Sequence, residues 1–320
     1  MRRFISLGLL AFLAVAHVVE GQVLRSDAAT DQEFSASAQD ARRSVNVEGT
    51  LLLPPTANPV RGVIVVLGWG VGTWVYNDPA WRQLADELHY GLLRLMVSNN
   101  GGPADPLSLP VADQAVRNAS LGGAEGLLKI LNEFARQSGR PELQDAKLLL
   151  WGHSAAGSFG TTFAALHPSR TIAFVRYHSH SRGLPVDLTA TVRVPALIFA
   201  GEKDTTAGIE DSEALWRSGR ALQAPWTFAL EPGATHGSSE ALKKANELTI
   251  PWIRAVIQQR FANNGVGLRP VDETSGWRAS SMAKTVVPAG SFQGNKAEAS
   301  WLPDEASARG WRLVTGILAP

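Results

Sequence analysis

Two kinds of apolar pattern alternate along the chain. Short continuous apolar runs at 62–67, 92–97, 147–151, 171–177, 194–200 and 226–230 read as strands buried on both faces. Between them, apolar residues recur every three or four positions at 81–88, 112–136, 161–166, 210–221 and 239–261. That spacing predicts helices with one buried face; in 112–136 the face is marked by Leu127, Leu128, Leu131 and Phe134. Residues 45–53 alternate and then turn apolar, which predicts an edge strand halted by Pro54-Pro55. Strands alternating with helices predict a mostly parallel central sheet with helices on both faces. Functional side chains in such sheets gather beyond the C-terminal strand ends.

The flanks carry no such pattern. Residues 22–45 are rich in Ala, Ser, Asp and Gln and are expected to form a loose lead-in. Beyond Asn263 the periodicity fades into Gly, Ser, Pro and scattered Trp. Residues 263–320 are expected to be an extension packed on the core through Trp277, Trp301 and Trp311, with a sugar-binding role as the alternative. At the other end, Met1-Arg2-Arg3 precedes an apolar run from Phe4 to Val19, closed by small residues up to Gly21. A basic start, a short apolar core and a small-residue end predict a signal peptide over 1–21 and a secreted or periplasmic protein. The run is short for a membrane span, so no stable membrane anchor is expected after cleavage.

Composition narrows the function classes. The 320 residues carry 30 Lys and Arg against 29 Asp and Glu, without a basic stripe, so nucleic acid is not an expected partner. There are no cysteines, which excludes disulfides and thiolate metal sites. The ten tryptophans are either core or platforms for flat or sugar-like ligands.

The run 147–151 leads into Gly152-His153-Ser154-Ala155-Ala156-Gly157 and then a helix. A serine at a sharp strand-to-helix turn is lifted clear of the sheet, and only tiny neighbours fit around it. Ala156 stands where a G-x-S-x-G elbow has its last glycine; alanine is still small. Two later strands end in Gly201-Glu202-Lys203-Asp204 and Glu231-Pro232-Gly233-Ala234-Thr235-His236. A serine nucleophile needs a base in reach and a carboxylate to orient that base. Each of these residue types lies past a C-terminal strand end, in the order Ser, Asp, His.

The elbow, the Gly-x-x-Asp at 201–204 and the late loop histidine resemble the α/β-hydrolase superfamily, over about residues 46 to 262. The resemblance is to a secreted, serine esterase-like member. It implies Ser154 as nucleophile, His236 as base and Asp204 as orienting acid, with Glu202 as the rival acid. It implies an oxyanion hole from the backbone N–H of Ala155 and of Trp69, although Leu67 departs from the His-Gly that many relatives have before that loop. Gly70, His153, His178 and His180 are the candidate substrate contacts. If the strand continues past Tyr177, Arg176, His178 and His180 share one face at the mouth of the site. The two imidazoles then either satisfy local backbone groups or touch substrate; no third ligand with metal spacing lies nearby. The expected reaction is hydrolysis of small-molecule or polymer-linked carboxylic esters through an acyl-enzyme, with no cofactor and no metal. A serine peptidase or amidase of the same fold and a non-catalytic binding module are the alternatives. The short stretch between 171–177 and 194–200 predicts a small cap or none.

Overall fold

The apolar runs pair into one eight-stranded sheet, in the order β1-β2-β4-β3-β5-β6-β7-β8. Its strands are β1 (Gln32–Asp40), β2 (Val45–Leu53), β3 (Gly62–Leu67), β4 (Tyr90–Asn99), β5 (Leu148–His153), β6 (Thr171–Tyr177), β7 (Ala196–Gly201) and β8 (Trp226–Glu231). The computed structural model describes residues 31–40, 45–67, 70–99, 119–180, 188–261 and 267–317. Strand β2 pairs antiparallel with both β1 and β4, and every pairing from β4 through β8 is parallel. One reversed strand near one edge of an otherwise parallel sheet, with helices on both faces, is the α/β-hydrolase arrangement.

The helices that cover the sheet are α1 (Val71–Asn77), α2 (Pro79–Leu88), α3 (Ala124–Ser138), α4 (Ala155–Leu166), α5 (Glu210–Ala221) and α6 (Ser239–Arg260). Side chains alternate across each strand, so neighbouring residues enter opposite cores. Val63, Val65, Leu148, Leu150, Phe174 and Ile198 face α3, α4 and α5, where they meet Ile130, Phe134, Phe163 and Trp216. Ile64, Val66, Leu149, Trp151, Leu197 and Phe199 face α1, α2 and α6, where they meet Val75, Trp81, Trp252 and Val256. Strands buried on both sides explain the unbroken apolar runs.

Two expectations change. The lead-in expected over 22–45 contains β1, which covers β2 in register from Gln32↔Leu53 to Asp40↔Val45 and takes its place at the edge. Phe34, Ala36 and Ala38 pack on the core; their alternation with small polar residues is too weak in hydrophobicity to register as a strand. The helix expected over 112–136 begins, within the described residues, with a wider turn at Ala119–Gly123 and ends at Ser138.

The C-terminal segment has structure of its own. Strands β9 (Trp277–Ser280), β10 (Thr285–Pro288) and β11 (Ser300–Leu302) form a second sheet, and α7 (Glu305–Thr315) follows. Both dock beside β8 and α6. The hydroxyl of Ser300 accepts from the Phe228 N–H at 2.8 Å and donates to its carbonyl at 3.1 Å, satisfying backbone groups on the free edge of β8. Trp311 donates its indole N–H to the Phe228 carbonyl at 2.7 Å, and the Trp301 carbonyl accepts from the Thr227 hydroxyl. At Gly310 the two helix backbones touch: a Cβ there would lie 2.3 Å from the Glu247 carbonyl. Trp81, Trp151, Trp216, Trp226, Trp252, Trp301 and Trp311 are all buried, so these tryptophans are core and not ligand platforms. Among the described residues no helix is long and apolar enough to cross a membrane.

Candidate active site

Ser154 occupies the turn between β5 and α4 with φ 57° and ψ −131°, a region that side-chain-bearing residues rarely visit. Hydrogen bonds hold it there. Its N–H donates to the Tyr177 carbonyl at 3.0 Å, and its carbonyl accepts from Gly157 at 3.1 Å. Space is equally restrictive. A Cβ at Gly152 would lie 2.3 Å from the Ala156 carbonyl oxygen, and one at Gly157 would lie 2.7 Å from the Ser179 side chain. The tight positions are therefore 152 and 157, which is why alanine is accepted at 156. Ala155 is the first residue of α4, so its backbone N–H has no acceptor within the helix.

Arg176 braces the elbow from below. Its fully buried guanidinium donates to the Gly157 carbonyl at 3.2 Å, the Thr161 hydroxyl at 2.7 Å and the His180 carbonyl at 2.8 Å. Burial, partly offset by Asp211, pulls this guanidinium down to about 9. Ser158 also donates to the His180 carbonyl, at 3.2 Å.

His236 and Asp204 arrive on the loops after β8 and β7. His236 Nε2 lies 3.0 Å from Ser154 Oγ, and Nδ1 lies 2.8 Å from Asp204 Oδ2. With Asp204 accepting from Nδ1–H, Nε2 is the bare nitrogen that faces the serine hydroxyl. Oδ1 of Asp204 accepts from the backbone N–H groups of Thr206 and Ala207, both at 2.9 Å. Burial by itself pushes this carboxyl up, but the hydrogen bonds from His236, Ala207 and Thr206 outweigh it and hold Asp204 below the usual aspartate value. The two loops are clipped together. Glu202 accepts from the Gly233 N–H at 2.7 Å, and Lys203 donates its N–H to the Ala234 carbonyl at 2.8 Å. Glu202 is exposed and turned to the loop, so the carboxylate that meets His236 is Asp204.

The remaining expected site residues are placed differently. His153, at the end of β5, packs its ring 4.6 Å from that of His236 and 5.9 Å from that of Tyr177. Burial first, then the neighbouring His236 and His178, pulls it down to about 3, so it is neutral at physiological pH. Gly70 is exposed at the start of α1 with φ 59°. Trp69 lies outside the described residues. His180 is partly buried and places its carbonyl, described above, against Arg176 and Ser158.

His178 does not line the mouth of the site. The strand ends at Tyr177, His178 turns to φ 47°, and its ring enters the protein, where it is fully buried. The backbone there leaves the extended region, so the alternation that would have kept His178 and His180 on one face stops. His178 Nε2 lies 2.8 Å from Glu231 Oε2, a buried carboxylate at the end of β8. Sequence reasoning missed Glu231; its signal was a charged residue closing a buried apolar strand. Among the described residues no three His, Asp or Glu side chains are arranged to hold a metal ion.

A hydroxyl, an imidazole and a carboxylate in this line can transfer a proton from the hydroxyl as its oxygen attacks an electrophile. The sequence profile of the dienelactone hydrolase family matches residues 47–250. No curated protein shows significant sequence similarity to the chain. Among solved structures, a dienelactone hydrolase from Anabaena variabilis ATCC 29413 is 20% identical over 70% of this chain and 97% of that one, with a TM-score of 0.44. A fungal esterase from Rhizomucor miehei is 14% identical over 73% of this chain and 85% of that one, with a TM-score of 0.49. An S-formylglutathione hydrolase from Agrobacterium tumefaciens is 17% identical over 64% and 88%, with a TM-score of 0.43.

Proposed function

The chain belongs to the dienelactone hydrolase family, and from that premise we propose that it hydrolyses carboxylic esters by covalent catalysis at Ser154. One observation carries the reading: Ser154 Oγ, His236 and Asp204 form a continuous line with contacts of 3.0 and 2.8 Å, and the serine sits at a strained elbow. As Oγ attacks the ester carbonyl, His236 Nε2 takes its proton. Asp204 keeps the proton on Nδ1 and offsets the imidazolium charge. The developing oxyanion is met by the free N–H of Ala155, reinforced by the positive end of α4. The second donor is assigned to Trp69, which follows β3 in sequence. His236 then returns its proton to the leaving alcohol. Water, deprotonated by the same imidazole, attacks the acyl-enzyme and releases the acid.

Export and substrate complete the proposal. The Met1-Arg2-Arg3 start with its apolar run supports a secreted or periplasmic enzyme. An exported esterase would meet small esters and acyl or aromatic groups linked to polymers, and both are assigned as substrate classes.

The test is Ser154→Ala. The hydroxyl contributes little to packing, so melting should be unchanged, and turnover of nitrophenyl and aromatic methyl esters should vanish. Near wild-type ester hydrolysis by that variant would end the assignment. Cleavage of peptides in preference to esters by the wild type would move the activity to amides.

A further inference from the structure

Behind Asp204 lies a second ionisable pair that this mechanism does not use. His178 and Glu231 are both buried. Two neighbours confine the His178 ring. Tyr177 stacks on it with ring centres 4.1 Å apart, and its Cε1 fills the space beside Gly201, where a Cβ would come within 2.9 Å. Each ring nitrogen faces a carboxylate. Nε2 lies 2.8 Å from Glu231 Oε2, and Nδ1 lies 3.7 Å from Asp204 Oδ2, the oxygen that also receives His236.

A neutral imidazole has one N–H and one lone pair. With the N–H on Glu231, the bare Nδ1 would stand 3.7 Å from an Asp204 oxygen in a buried setting, where that repulsion is poorly screened. With protons on both nitrogens, the ring is hydrogen-bonded to Glu231 and ion-paired with Asp204 at the longer distance. We propose that His178 is an imidazolium held by Glu231, and that it acts as a positioning residue for Asp204. The reacting groups then sit at one end of a line of five: Ser154, His236, Asp204, His178, Glu231. This inference rests on the serine mechanism above. Its consequence is electrostatic. Asp204, Glu231 and His178 together present one net negative charge to His236, whose ring lies 6.5 Å from that of His178.

Among the described residues the ionisable groups packed around His178 are few. Asp204 comes from the loop after β7, Glu231 and His236 from β8 and its loop, and Tyr177 from its own strand. His153, from β5, is the fifth and stays neutral. Burial and then Glu231 push the Tyr177 phenol up, so it too is uncharged. Arg176 is turned to the opposite side, toward the carbonyls of Gly157 and His180.

The experiment is the pH profile of kcat/KM for a nitrophenyl ester, measured on wild type, His178→Gln, Glu231→Gln and the double variant. Removing the imidazolium leaves two negative charges near His236, so the acid limb of His178→Gln should move up, by on the order of one pH unit. Glu231→Gln removes one negative charge and frees the ring to give up its proton, so its limb should stay at or below that of wild type. The double variant loses one charge of each sign and should return toward wild type. A merely structural role lowers activity without an upward shift confined to His178→Gln. An unmoved or downward-moved limb in His178→Gln therefore overturns the proposal. Should the variants fail to fold, labelling the wild-type histidines with nitrogen-15 decides the question directly. His178 should show two protonated ring nitrogens at pH 7; one lone-pair nitrogen overturns the idea. Failure here is distinct from failure of the serine mechanism, which a fully active Ser154→Ala enzyme would reveal in the same assay.

Discussion

Replacing Asp204 by Asn changes one atom and should remove the base while leaving the fold. The magnitude follows from the contacts. Oδ1 is committed to two backbone N–H groups, those of Thr206 and Ala207, each at 2.9 Å. In Asp204→Asn the amide oxygen must stay on that side, because an NH2 there would face two donors. The NH2 then points at His236 Nδ1, where Oδ2 stood at 2.8 Å. A donor in that place is satisfied only by a bare Nδ1, so the ring proton moves to Nε2. Nε2 is the nitrogen 3.0 Å from Ser154 Oγ that should accept the serine proton. It becomes a donor, and the hydroxyl has no base. The same exchange in serine proteases lowers kcat about 10⁴-fold, which corresponds to about 5 kcal/mol of barrier. Glu202→Gln should leave kcat nearly unchanged, since an amide oxygen can still accept the Gly233 N–H. Steady-state hydrolysis of a nitrophenyl ester at neutral pH, with melting checked in parallel, measures both variants. A folded Asp204→Asn enzyme within about tenfold of wild type would refute the tautomer argument. A larger loss in Glu202→Gln would reassign the acid.

Two further outcomes concern stability. Trp311→Ala should cost about 3–5 kcal/mol in urea unfolding, because the indole is 1% exposed and bonded to the Phe228 carbonyl; a cost below about 1 kcal/mol would mean that α7 does not support the hydrolase core. His153, pulled down to about 3 by burial and its neighbouring histidines, refuses a proton that the unfolded chain takes up below about 6.5. The unfolded state binds more protons in that window, so stability should fall as pH drops from about 6.5 toward about 3, by up to about 1.4 kcal/mol per pH unit for this group. Unfolding free energies of His153→Phe across that range should decline less steeply than wild type, and an identical slope would remove His153 as the cause.

Much of the molecule is written locally. Strands β3 and β5–β8 are legible because a strand buried on both faces must be apolar at nearly every position. Helices α5 and α6 are legible because their single buried face imposes a period near 3.6. The elbow is legible because a serine at φ 57° demands tiny neighbours within a few residues, and its order with Asp204 and His236 is a property of the chain alone. β1 is not legible, since Ala and Ser alternate with little contrast and the strand exists by pairing with β2. The C-terminal sheet and α7 escape detection because their short elements are stabilised by docking on β8 and α6, not by a pattern of their own.

Reach and depth are what the tertiary structure decided. Sequence order put Glu202 and Asp204 two residues apart as rival acids; only the clip between the loops after β7 and β8 turned one to Gly233 and the other to His236. Periodicity placed His178 beside His180 at the surface. A single residue with φ 47° ended the strand geometry and sent the ring inward to Glu231. Local propensity can state which residue types stand at a strand end. Which of them meet depends on where separate loops fold over the sheet, because hydrogen bonds and burial act through space and the chain order does not record that distance.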